Sequence, residues 1–289
     1  MKLRHYLLLG LAGSLVIGVA LGAFVLVRTS HFARPSGLAG AYLAAQFALS
    51  SNDLVQAGDY LELALVTDPD DKDLLQNAMR ARLVGGQVPQ AVEIARNLIT
   101  QTPKNQQAGL LLAINSFEAG RYARAGRYLD SMNKGPMARL LEPNIRLWMA
   151  VARARDDDVQ ATMSQLRRAA AFTPISMLQV ARALELAGDL ASADEAYETG
   201  ARAGGVDYFF FVKAYGAYLE RKGDTPGARK LYQDYHDTHL THPHILAGLA
   251  RLETGAPAPE LPRAVNAQMA YAFFAVAEVM ERESRLELA

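Results

Sequence analysis

The chain has 289 residues, 51% of them hydrophobic, with 30 basic side chains set against 30 acidic ones and no cysteine. That charge balance argues against a nucleic-acid binder, which carries a basic excess or stripe. The missing thiols exclude a disulfide framework, a cysteine nucleophile, a cysteine-type zinc site and a lipidated cysteine anchor.

Tyr6 to Val27 is a run of 22 residues without charge, bounded by Lys2 and Arg4 before it and Arg28 after it. As a helix at about 1.5 Å per residue it reaches roughly 33 Å, enough to cross a bilayer core. Cleaved signals carry shorter apolar cores of about 7–15 residues. Ala20-Leu21-Gly22 offers a small-x-small cleavage site, but Phe24 to Val27 prolong the apolar run past it. Residues 1–28 therefore read as a single-pass transmembrane anchor, with a cleaved signal as the alternative. A short N-terminal tail stays cytoplasmic in such an anchor, which puts the remainder of the chain outside the cytoplasm. Residues 29–37 read as a linker.

From there a repeat takes over. Ala57, Ala91 and Ala125 recur every 34 residues, and Ala193 and Ala228 continue the series. Asn52, Gly86, Gly120, Gly188 and Gly223 stand five residues before them, and Leu61, Ala95, Leu129, Tyr197 and Tyr232 four after. Each unit is two antiparallel helices. The glycine or asparagine ends the first helix in a left-handed conformation. Asp53, Asp189 and Asp224 then open the second by accepting from its free N–H groups. The alanine admits a close neighbour, and the larger residue one turn later fills the space between units. Pro69 and Pro103 act as stops. A fourth unit around 143–174 is out of phase, with Val159 where a small residue is expected, which points to an insertion.

These segments resemble the tetratricopeptide repeat (TPR). Its small–bulky–small–proline ladder is matched by Ala57, Leu61, Ala64 and Pro69, and again by Ala91, Ala95, Leu98 and Pro103. The early aromatic and Leu-Gly positions of the first helix are mostly alanine, so the match is degenerate. The second half, with LLEPNIRLWMAVARA and YLERKGDTPGARKLYQDY, is similar to longer proteobacterial TPR proteins of unassigned role. The resemblance implies an all-α fold, an α-solenoid of about six degenerate units over 38–254, which the apolar run of residues 6–27 precedes as one transmembrane helix. Its setting would be the cell inner membrane with the repeats in the periplasm, or the periplasm alone if the signal is cleaved.

Residues 255–262 hold three prolines and read as a stiff break. Beyond them, 263–289 form a terminal helix and tail whose stripe is Val265, Met269, Phe273, Ala277 and Met280. Capping the last exposed repeat face is the expected role; docking on another chain is the alternative.

A phosphate loop, a nucleophile elbow and a zinc helix motif are all missing from the sequence, so neither catalysis nor a cofactor is expected. Four of the six histidines, His236, His239, His242 and His244, fall within nine residues. At these spacings they could hold zinc, copper or nickel in a metal-handling or enzyme-accessory module. The plainer reading is a helix end suited to polar and cationic side chains. TPR register implies a concave groove lined by first helices and filled by a protein or peptide ligand. Its candidate residues are Gln76, Arg80, Phe117, Arg182, Phe210, Lys213 and Arg221. The Lys/Asn/Arg clamp for a C-terminal carboxylate is not recognisable among them. The resulting expectation is a membrane-tethered scaffold for protein–protein interaction or complex assembly, with self-association of the array as a further possibility.

Overall fold

A computed structural model describes residues 37–154, 156–168, 173–239 and 242–284. All regular structure among them is helical. The chain forms two compact units divided after Pro103, where one continuous array was expected. In the first, α1 (Gly37–Ser50) pairs with α2 (Leu54–Thr67), and α3 (Lys72–Val84) with α4 (Val88–Gln101). The second runs α5 (Gln106–Glu118), α6 (Tyr122–Ser131), α7 (Pro136–Ala152), α8 (Asp156–Arg168) and α9 (Thr173–Ala187). It continues with α10 (Leu190–Arg202), α11 (Phe209–Lys222), α12 (Thr225–Thr238), α13 (Pro243–Thr254) and α14 (Val265–Ser284). The division falls at the Pro103 stop, just after the rung of the ladder where the bulky residue is only Ala95.

The repeat ladder is the skeleton of both units. Asn52, Gly86, Gly120, Gly188 and Gly223 all have positive φ, between 56° and 86°. Asp53, Asp189 and Asp224 each accept a hydrogen bond from the backbone N–H three residues on. Asp71 caps α3 through the N–H groups of Asp73 and Leu74. Ala57, Ala91, Ala125, Ala193 and Ala228 are wholly buried, as are Leu61, Ala95, Leu129 and Tyr197. Arg121, Arg124 and Arg127 stay exposed.

The fourth unit is in phase after all. Ala154 lies 34 residues after Gly120 and 34 before Gly188, and its φ is +51°. The turn is kept; only the residue that advertises it is missing. Val159 is half-buried at the small position, and Met163 fills the bulky one. An L side chain in this region costs roughly 1–2 kcal/mol. Ala154→Gly should therefore stabilise the protein by about 0.5–1 kcal/mol, the strain relief less the added freedom of the unfolded chain. Chemical denaturation compares the two midpoints.

Where the ladder carries a large ring, glycines make room for it. A Cβ on Gly216 of α11 would stand 2.3 Å from the Tyr232 ring, and one on Gly248 of α13 would stand 2.6 Å from it. Tyr232 thus packs directly on two helix backbones while its hydroxyl donates to Glu220 at 2.7 Å.

The proline-rich break does not lead to a cap at the end of the array. After a left-handed turn at Gly255, the chain returns along the unit. Helix α14 packs chiefly against α7, α11 and α9, all first helices of their pairs. Its buried side is Gln268, Met269, Ala272, Ala275, Val276 and Val279. Of the stripe read from the sequence, Met269 is buried, Val265, Phe273 and Met280 are half-buried, and Ala277 is exposed. Among the described residues no helix is long and apolar enough to cross a membrane. The anchor over 1–28, its cleavage site and linker positions 29–36 lie outside those residues.

Candidate functional site

The first-helix face of the second unit is the expected binding groove, and α14 lies on it. Arg182 of α9 donates from Nε to Oε1 of Gln268 at 2.8 Å. Its guanidinium carbon sits 3.9 Å from the centre of the Tyr271 ring. Phe210 of α11 meets Tyr271 edge-on at 5.4 Å and stacks on Phe274 at 5.7 Å. The Tyr271 hydroxyl donates to the carbonyl of Phe210. Tyr208 offers no side-chain cap to α11, and Glu278 of α14 takes that part by accepting from the N–H groups of Phe209 and Phe210. Burial pushes the Glu278 carboxyl above its ordinary range, against the lowering effect of those two N–H donors.

The strap before α14 is tied as well. Arg221 donates from Nη1 to the Pro259 carbonyl at 2.6 Å while pairing with Glu185 through Nη2, also at 2.6 Å. Gln268 Nε2 donates to the carbonyl of Pro262. One amide side chain therefore joins Arg182, the strap and α14.

This arrangement corrects several sequence expectations. Phe117 is a core residue at 1% exposure and lines no groove. Arg182 is buried at 4%, and Phe210 is covered by two rings, so neither is open to a second chain while α14 is in place. Lys213 and Arg221 line a cavity beside the strap. Arg80, in the first unit, is exposed and Gln76 half-buried. Of the dense aromatic stretch, Phe211 and Tyr218 are core, and Tyr197 stacks on Tyr215.

The four histidines do not converge. His239 closes α12 and stacks on Tyr235 at 4.2 Å, whereas His242 stacks on Phe209 at 3.6 Å. His242 also caps α13, its Nδ1 accepting from the N–H of His244. Burial, then the neighbouring His244 and Lys213, hold His242 below the usual imidazole value. Among the described residues no three His, Asp or Glu side chains form a group that could hold a metal ion. His236 lies in the last turn of α12, its Nδ1 buried without a hydrogen-bond partner among the described residues, so the metal-handling alternative finds no common site there.

Gln268, Tyr271 and Glu278 carry the contacts of α14, and none was singled out from the sequence. Their signal was available: three polar groups spaced by three and seven along a helix whose neighbours are apolar.

The period of 34, the left-handed turns and the buried alanine ladder define the helical architecture of TPR arrays. A tetratricopeptide repeat protein from Parabacteroides merdae ATCC 43184 shares it over 75% of this chain and 84% of that one, with 15% identity and a TM-score of 0.53. The TPR domain of P58(IPK) matches over 86% of this chain and 69% of that one, at 11% identity and TM-score 0.33. Naa15/Naa10 bound to HypK-THB matches over 87% and 40%, at 14% identity and TM-score 0.34. No protein-family model and no curated protein matches the sequence.

Proposed function

We propose that this chain is a protein-binding TPR scaffold, tethered to the membrane by Tyr6–Val27, whose recruiting surface is the first unit. The apolar length of residues 6–27 supports the tether, and the resemblance to longer proteobacterial TPR proteins fits a placement at the inner membrane with the repeats in the periplasm. One observation carries the recruiting surface. Of the fourteen large hydrophobic side chains exposed among the described residues, ten lie between Leu38 and Val88. Leu43 is 68% exposed and Phe47 74%. They stand four residues apart on α1 and so share one face. Concentrated apolar exposure of this kind marks an interaction surface, whereas scattered single residues do not.

The partner in this reading is a protein presenting apolar surface, anchored by a few aromatic and aliphatic contacts. The test is capture of full-length protein from membranes, followed by affinity measurement with the main partner. Leu43→Ser with Phe47→Ser should weaken binding at least about tenfold, roughly 1.4 kcal/mol. Replacing exposed Arg167 and Arg168 of α8 by alanine should leave it unchanged. Equal loss in both variants, or none in the first, removes the proposed surface.

A further inference from the structure

A cavity of about 380 Å³ lies within the second unit between α9, α11, α13, the proline strap and α14. Four cations line it: Arg182, Lys213, Arg221 and Arg251. Two are neutralised where they stand. Arg221 pairs with Glu185 at 2.6 Å, and Arg251 grips Glu220 through two nitrogens at 2.7 and 3.0 Å. The other two are not. Among the described residues Arg182, though 4% exposed, donates to the neutral amide of Gln268 and lies over the neutral ring of Tyr271. Lys213 is half-buried, and its ammonium lies 5.8 Å from the Phe209 ring. Neither forms an ion pair among the described residues.

A buried guanidinium and a half-buried ammonium on one cavity wall without a counter-charge are costly. The cost is visible on Lys213, whose amine is held below its usual value by burial first and by the charge of Arg182 second. Aromatic faces return only part of it. The one acidic side chain on the lining, Glu260, is exposed. The cavity thus presents an unused guanidinium fork and an ammonium beside a tyrosine face. Its volume is that of a small-molecule site, and guanidinium forks match carboxylate and phosphate oxygens.

We propose that this cavity binds a small organic anion, a carboxylate or a phosphate ester, held by Arg182 and Lys213 against the ring of Tyr271. The anion supplies the charge that Arg182 and Lys213 lack. Because the strap and α14 form two of its walls, a bound anion also ties α14 to the first-helix face, so ligand and docked helix stabilise each other.

Two probes separate the two sources of negative charge: benzoate for a carboxylate, and phenyl phosphate for a phosphate ester. Each is titrated calorimetrically into the full chain at matched ionic strength. At least one should bind saturably with a dissociation constant below about 10 mM, and the better one names the head group. Lys213→Gln should weaken that probe at least tenfold, while Lys230→Gln, on the exposed side of α12, should leave it unchanged. Should Lys213→Gln fail to fold, wild-type protein with isotopically dimethylated lysines gives the same answer. The Lys213 signal should then shift saturably with the probe and titrate higher once it is bound. Absence of saturable binding by both probes, or equal binding by Lys213→Gln, or a Lys213 signal indifferent to the probe, overturns the site.

Discussion

Gly216→Ala is expected to destabilise the second unit by about 2–3 kcal/mol, the scale of overpacking a filled core. A helical glycine replaced by alanine normally gains up to about 1 kcal/mol from propensity, so the sign itself is informative. The new methyl would sit 2.3 Å from ring carbons of Tyr232. That ring cannot step aside, because Gly248 holds its other edge at 2.6 Å from a would-be Cβ and Glu220 holds its hydroxyl. The coupling is testable. In a Tyr232→Leu background the space is already vacant, so adding Gly216→Ala should cost less than about 0.5 kcal/mol or stabilise. The chain's one tryptophan, Trp148, is fully buried in α7 and reports unfolding of this unit by fluorescence. A Gly216→Ala variant as stable as wild type would show that the ring and the glycine are not in contact.

Val276→Asp is expected to cost more, about 3–5 kcal/mol by the same probe. Val276 is 2% exposed, on the side of α14 that faces the first helices. A carboxylate without a partner does not remain buried there, since desolvation exceeds what one helix contributes by docking. The helix leaves instead, and the loss reads the docking free energy of α14. The variant should also uncover Phe210 and the Met269 contact surface, seen as a rise in binding of a hydrophobic dye. Exposed Ala277, one residue along, is the control: Ala277→Asp should change stability by no more than about 0.5 kcal/mol.

What could be read from the sequence was whatever the repeat enforces through residue type. Left-handed turns select glycine or asparagine, so five of the six stood out by spacing alone. The sixth is Ala154, whose side chain carries no sign of its φ; the surrounding helices impose the conformation, and the unit therefore looked displaced. Capping aspartates and buried alanines were legible for the same local reason. The seat of α14 was not. An apolar stripe says that a helix is covered but not by what, and the proline strap only limits how far it can reach. Ala277 was assigned to that stripe by spacing, yet the buried side is rotated toward Ala275, Val276 and Val279. Phe117 failed as a groove residue because α5 is covered on several sides, with Ala108 to Ala113 all buried. Four histidines close in sequence suggested a shared ligand. They straddle the end of one helix and the start of the next, where His239 stacks on Tyr235 while His242 and His244 gather at Phe209.

Hydrogen exchange of the unmodified protein tests the central claim, that the chain's own terminal helix occupies the face its repeats offer. Amides of Met269 to Val279 should exchange as slowly as those of α11, because both helices open only when the second unit does. The protection should persist unchanged when the protein is diluted tenfold, as a helix docked within one chain requires. Exchange of Met269 to Val279 at the rate of an unstructured peptide, or protection that vanishes on dilution, would contradict it.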